Sequence, residues 1–404
     1  MYKVKSLNPP DFEPLPSDYM SGSLIFDNCN LLGIKVEISD DAEMCEFKLK
    51  EVIAMTFAQL GIDKNLPKTY GDQNDFMQLT RVNWNYIKNN PSKKLVITQK
   101  IQTVFTNFIK PLNRIIEKYE LEDRVHFVSI NPLDLKHQKY CKFKIHSLNP
   151  WTSVYLENLI RARRVGWEYG GDSFSLNHAT HHFVSLCGRK KFFRNYATFL
   201  LKQKRLDEKG IYSYMAWKGE TALQKKEMED RKEELIKRGI PFDDFYNFVL
   251  NHTSHLDIEV FPTQIILTNR GASARLNKKG LINLVFESIA NDNEIMITEK
   301  TMFCFKLGRP FLLIGNKGTL KYLREEFGFK TFDFLFDESY DNIADEVVKV
   351  QKVIEQLELF CSKPFEEQKE LILKYNDVLE HNKKLATEFP HKKYYKEMLE
   401  KLYG

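Results

Sequence analysis

Thr298, Glu299 and Lys300 stand at the head of the segment Thr298–Leu307, which reads as a helix set between two short apolar runs, Leu281–Phe286 and Pro310–Ile314. Runs of this length bounded by turn residues read as buried strands, and strand, helix, strand is a βαβ unit whose ligands gather at the carboxyl ends of the strands. A helix N-terminus with a lysine in its first turn attracts phosphate, and a carboxylate beside it can accept hydrogen bonds from the two hydroxyls of a ribose. The chemistry on offer is nucleotide binding. The plain alternative is a well-capped helix, in which the Thr298 hydroxyl satisfies free backbone N–H groups and Glu299 complements the helix dipole.

Charge is concentrated a second time upstream. Between Arg189 and Lys209 stand Arg189, Lys190, Lys191, Arg194, Lys202, Lys204, Arg205 and Lys209, against only Asp207 and Glu208. At a strand-to-helix turn such a cluster can hold a diphosphate, or extend to the phosphates of a polynucleotide. For Lys202 to Lys209 the alternative is the solvated face of a lysine-rich helix, whereas Arg189 to Arg194 lie where a phosphate site is expected.

The same residues carry a resemblance. Phe286-Glu287-Ser288 followed by Ile297-Thr298-Glu299-Lys300 resembles the signature of the family 10 fucosyltransferases, a Phe-Glu-Asn segment ahead of a Tyr-(Ile/Val)-Thr-Glu-Lys segment. Ser288 stands where that family has Asn, and Met296 where it has Tyr. Phe183-Val184-Ser185 leading to Phe193-Arg194-Asn195 is similar to the strand and helix start where the family places an arginine on the donor phosphates. The resemblance implies that Glu299 binds the donor ribose, Lys300 its diphosphate and Arg194 the donor phosphates. Glu287 would touch the sugar or base of the donor, or else hold the loop Ile289–Ile295. Glycosyltransferase-like proteins of tailed phages and some bacteria are also similar, sharing the pieces that begin here at Thr298, Arg309, Gly318 and Gly328; the likeness spans residues 180–350.

These residues need elements to position them. The proline-rich first 20 residues look like an extended arm or edge segment. Ser23–Asp27, Ile34–Ile38, Lys94–Thr98 and Val125–Ile130 read as strands, and Phe47–Leu60, Val104–Tyr119 and Trp151–Arg164 as helices. Downstream, strands are expected at Phe183–Leu186, Ile211–Tyr214, Thr263–Leu267 and Ile282–Phe286, with helices at Phe192–Lys204 and Glu220–Arg238. The stretch from Gln224 to Arg238 is so polar that it reads as an exposed helix. Alternation of this kind is an α/β fold. Together with the resemblance it implies the GT-B form: two facing Rossmann-like domains, residues 1–182 on the acceptor side and 183–345 on the donor side, with a helical C-terminal segment, 346–404, packing back across them.

The activity implied is transfer of a sugar from a nucleotide sugar, a UDP- or GDP-sugar used as co-substrate with no tightly bound cofactor, to an acceptor hydroxyl. Lys300 and Arg194 would stabilise the departing diphosphate in place of a metal ion. The acceptor base is sought at Asp27, at the end of the first strand, at Asp172, in the turn Tyr169-Gly170-Gly171-Asp172, or at His182 of the His178-Ala179-Thr180-His181-His182 cluster. Each has a structural alternative, as a strand end, a turn residue or a packed linker residue. The leading acceptor is a hydroxymethylated base in phage DNA. The alternatives are a surface glycan, or a virion protein that binds a nucleotide without catalysis.

Composition agrees with an enzyme of two domains. The chain has 404 residues, 43% of them hydrophobic, and a net charge of +5, too small to indicate nucleic acid by itself. Six scattered cysteines suggest neither a disulfide framework nor a zinc site. No glycine-rich dinucleotide fingerprint argues for an oxidoreductase. With no apolar run of about 18 residues and no signal-peptide core, a cytoplasmic location is expected.

Overall fold

The computed structural model describes residues 2–6, 24–49, 82–99, 106–129, 131–153, 155–156, 176–187, 190–214, 220–254, 276–288, 290 and 295–404. They form an α/β structure with two all-parallel sheets, of six and four strands. Two units hold the sheets, Met1–Trp167 with Pro390–Gly404, and Glu168–Phe389. The division precedes residue 182 because the chain ahead of the second sheet's first strand is already bonded to that sheet, Thr180 N donating to Lys279 O at 2.8 Å. Of the segment 346–404, only the last helix, His391–Tyr403, belongs to the first unit. Among the described residues no helix is long and apolar enough to cross a membrane.

In the first unit the chain runs through β1 Tyr2–Ser6, α1 Leu24–Leu31, β2 Val36–Ile38, β3 Met44–Leu49, α2 Trp84–Asn89, β4 Lys94–Gln99, α3 Thr106–Tyr119, β5 Val125–Ser129 and β6 Lys144–Ser147. The strand order is β2-β1-β3-β4-β5-β6. Alternating side chains clothe both faces. Cys45, Phe47, Ile97 and Phe127 pack with Trp84, Ile109 and Leu112, while Met44, Val96 and Val128 pack with Cys29 and with Tyr395, Met398, Leu399 and Leu402 of the C-terminal helix. Those last four fall at helical spacing, one apolar stripe laid on the sheet.

Three expectations change here. Tyr2–Ser6 is an interior strand, paired with both β2 and β3; Pro9, Pro10, Pro14 and Pro16 all come after it. Ser23–Asp27 is not a strand, because Leu24–Leu31 is helix α1. A short apolar run cannot be told from a buried helix by periodicity, and parallel β1 and β2 need a crossover between them. Asp27 therefore sits within a helix and not at a strand end. Met44–Leu49 is a strand, with Met44 on one face and Cys45 and Phe47 on the other all buried, where an amphipathic helix from Phe47 was expected; the remainder of that expected helix lies outside the described residues, as does the end of the one expected over Trp151–Arg164.

The second unit comprises β7 His181–Cys187, α4 Phe192–Gln203, β8 Gly210–Tyr214, α5 Glu220–Asp230, α6 Lys232–Lys237, α7 Phe242–Asn251, β9 Gly280–Phe286, α8 Glu299–Leu307, β10 Phe311–Ile314 and α9 Thr319–Phe327, then α10 Glu346–Ser362, α11 Phe365–Lys374 and α12 Asn376–Thr387. Its strand order is β10-β9-β7-β8. Every residue of β9 is buried, as befits a central parallel strand. Gly280 at its start has no room for a side chain, since a Cβ would lie 2.7 Å from the Phe183 backbone. The polar stretch from Gln224 to Arg238 forms two helices, and its Gln224, Met228 and Leu235 are buried. The strand expected at Thr263–Leu267 lies outside the described residues.

Candidate functional site

β7 and β9 lie side by side, yet the chain leaves them in opposite directions, β7 through α4 to β8 and β9 through α8 to β10. This is a topological switch point, where the loops part and open a crevice at the carboxyl ends of the strands. Arg194, in the first turn of α4 and 4% exposed, reaches across it. Its Nη2 donates to Glu287 O at 2.7 Å, just beyond the end of β9. Lys191 at the helix N-cap makes a parallel contact, Nζ donating to Ser288 O at 2.5 Å. Two cations of the β7–α4 turn are thus held against the backbone that follows β9.

Glu287 lies within the clasp, fully buried. Its backbone N donates to Ile314 O at 2.9 Å, extending the β9–β10 ladder. Its Oε1 accepts from Thr298 N at 3.0 Å and from Thr301 Oγ1 at 2.5 Å, so the side chain fastens the start of α8 to the end of β9. Of its two expected roles, the geometry corresponds to holding the loop that leads to α8. Gly315 makes room for it; a Cβ there would meet Glu287 Cγ at 3.2 Å.

Thr298 is the N-cap of α8, as its type and position suggested, and its side chain accepts from Lys300 N at 3.4 Å. Lys300 Nζ lies 3.1 Å from Glu299 Oε1 and 3.3 Å from Thr298 Oγ1. The Glu299 and Lys300 side chains are about one-third exposed, 33% and 29%. They form an accessible acid–base pair at the positive end of a helix dipole, able to exchange each other for a polyhydroxylated, phosphorylated ligand.

A cleft of about 670 Å³ opens on the α4 side of this edge. Lys190, Lys191, Phe192 and Phe193 line it from the start of α4 and Ser288 from behind β9, with Glu227, Arg231 and Glu234 facing from α5 and α6. Glu299 and Lys300 are not among its lining residues. Lys190 is buried, with Nζ donating to Val249 O at 2.7 Å and lying 4.3 Å from the Tyr214 ring centre.

The rest of the basic cluster is neutralised locally. Lys202 pairs with Asp207 at 2.7 Å, Lys204 with Glu358 at 2.6 Å and Arg205 with Glu208 at 2.9 Å, while Lys209 Nζ donates to Cys361 O at 2.6 Å. Four cations against three carboxylates leave a single net positive charge.

Of the remaining candidates, Asp172 and Arg189 lie outside the described residues. Asp27 belongs to the first unit, in helix α1. His182 is at the amino end of β7, opposite to the carboxyl edge; its Nδ1 is 2.9 Å from Gln368 Oε1 and its ring is edge-on to Phe365. The packed-residue reading of His182 accounts for that placement. Two groups escaped the sequence reading. Lys349 of α10 is buried, donates from Nζ to Gly315 O at 2.9 Å, and is pushed down by burial to about 8. Asp134, just after the carboxyl end of β5, is pushed up by burial to about 6 while accepting from Ser129 Oγ and Asn131 Nδ2. Only the Asn131-Pro132 turn signal ahead of Asp134 marks that place locally.

Compared with known proteins, the chain gives no significant match to any family model, curated protein or solved structure.

Proposed function

We propose that the protein is a nucleotide-sugar-dependent glycosyltransferase of GT-B type, with the second unit as its donor side. The observation that carries this reading is the placement of two cation-bearing helix starts, Lys191–Arg194 and Thr298–Lys300, behind the adjacent strands β7 and β9, joined through Glu287. The acceptor hydroxyl oxygen attacks the anomeric carbon as its proton passes to a carboxylate or histidine acting as base, and the bond to the diphosphate oxygen breaks with its electron pair leaving on that oxygen. Lys300 and the two helix N-termini balance the charge that develops there, each well-placed donor contributing about 3 kcal/mol. Glu299 accepts from the ribose hydroxyls once its contact to Lys300 is exchanged.

For the acceptor, the pairing of Lys202, Lys204 and Arg205 with carboxylates leaves little local field for a polynucleotide. That observation favours a carbohydrate hydroxyl over the hydroxymethylated DNA base. An electrophoretic shift with hydroxymethylated DNA at two salt concentrations separates them: steeply salt-dependent binding restores the DNA acceptor, and its absence leaves the glycan.

The donor reading is tested by thermal shift with UDP, GDP and their sugars on the wild type, Glu299→Ala and Lys300→Ala. Selective stabilisation by one nucleotide class, reduced in both variants, is expected. If no nucleotide stabilises the wild type, the head of α8 is a helix cap and the enzyme reading falls.

A further inference from the structure

The cleft beside α4 holds an imbalance that folding alone does not explain. Four carboxylates line it, Glu227, Glu234, Asp345 and Glu346. Glu234 and Asp345 both pair with Arg238, at 2.8 and 2.7 Å, and Glu346 pairs with Arg231. Glu227 has no hydrogen bond or ion pair among the described residues, although it is half-buried. Burial pushes its carboxyl up, and Arg231 and Lys191 oppose that shift. Withdrawing a carboxylate from water without a partner is costly, so an unpaired one in a cleft is a place for ligand donors.

We infer that this cleft receives the sugar-phosphate end of the donor, with Glu227 accepting hydrogen bonds from the sugar hydroxyls. The inference rests on the donor-binding role proposed for this unit. The lining selects the chemistry. A bare metal ion is repelled by Lys190, Lys191 and Arg231, and a bare phosphate by the four carboxylates, whereas a sugar phosphate supplies both kinds of group. Its anionic end meets the first turn of α4, which has no side-chain cap, with Lys191 beside it. Its hydroxyls meet Glu227, whose two oxygens suit a vicinal pair of O–H donors. The Arg231 guanidinium, stacked 3.9 Å from the centre of the buried Phe192 ring, is held in place on that side of the cleft. A volume of about 670 Å³ is ample for such a group.

The test is calorimetric titration of wild type, Glu227→Gln and Glu227→Ala with a nucleotide sugar that binds the wild type and with its matching nucleoside diphosphate. The expected result is a Kd for the nucleotide sugar weakened about tenfold in Glu227→Ala and less in Glu227→Gln, with the diphosphate unchanged within about twofold. Equal weakening of both ligands, or of neither, overturns the assignment of Glu227 to the sugar and leaves the donor site standing. Absence of binding by either ligand class to the wild type removes the donor site and this inference together. Unliganded melting temperatures serve as the folding control, and both variants are expected to stay close to the wild type because Glu227 gives up no hydrogen bond or ion pair among the described residues.

Discussion

Arg194 Nη2 donates to the carbonyl oxygen of Glu287 at 2.7 Å, joining the first turn of α4 to the end of β9 across the switch point of the four-stranded sheet. An arginine expected to face a ligand phosphate is, in the protein alone, part of the scaffold that shapes the site. Both roles can belong to one guanidinium, which has five N–H donors in a fixed fork.

Replacing Arg194 with Ala leaves the Glu287 carbonyl unpaired in a buried place. A loss of about 2 kcal/mol is expected, read as a lower urea midpoint with unchanged slope. Arg194→Lys is expected to recover little, since a point charge on a flexible stem does not reproduce the fork.

Glu287 is expected to act on ligand binding through α8. In Glu287→Ala the Thr298 amide and Thr301 hydroxyl lose their shared acceptor, so hydrogen exchange over Thr298–Thr301 should quicken and stability should fall by about 1–3 kcal/mol. Gly315→Ala approaches the same end from the other side, by pressing on Glu287 Cγ. A Gly315→Ala variant with wild-type exchange at Thr298 would remove this coupling.

Thr298→Ala tests the cap separately. Loss of the side-chain acceptor is expected to cost about 1 kcal/mol. Thr298→Ser, which keeps the oxygen, should recover most of it in the same denaturation assay.

A pH response is expected from the first unit. His126 and His146, on β5 and β6, are buried with Nδ1 of one 2.9 Å from Nε2 of the other, and burial lowers each to about 4. Lys94, Lys144 and Lys401 add to that lowering. Free imidazoles titrate near pH 6.5, so between about 6.5 and 4 the unfolded chain binds protons that the folded chain refuses. Stability should therefore fall as the pH drops through this window, by up to about 1.4 kcal/mol per pH unit for each imidazole. Urea midpoints at pH 7.5, 6 and 5 check this; His126→Gln should flatten the slope, and an unchanged slope would show that other groups carry it.

The local elements around the site were legible in the sequence. The run of β9, the Thr298 cap and the strand Phe311–Ile314 are all written in residues a few positions apart, because caps and apolar periods depend on near neighbours. In the first unit the short apolar run Leu24-Ile25-Phe26 misled, and Leu24–Leu31 is a helix.

By itself the sequence determined which segments form the βαβ units of the second sheet and which charged residues stand at their turns. Only the tertiary structure decided what those charges meet. Arg194 finds a carbonyl 93 positions away, Lys204 a carboxylate 154 positions away, and Glu287 faces the head of α8 because β9 and β10 are neighbours. Strand order brings such partners together, and it arises from the burial of whole sheet faces, a property of the assembled core that no local spacing encodes.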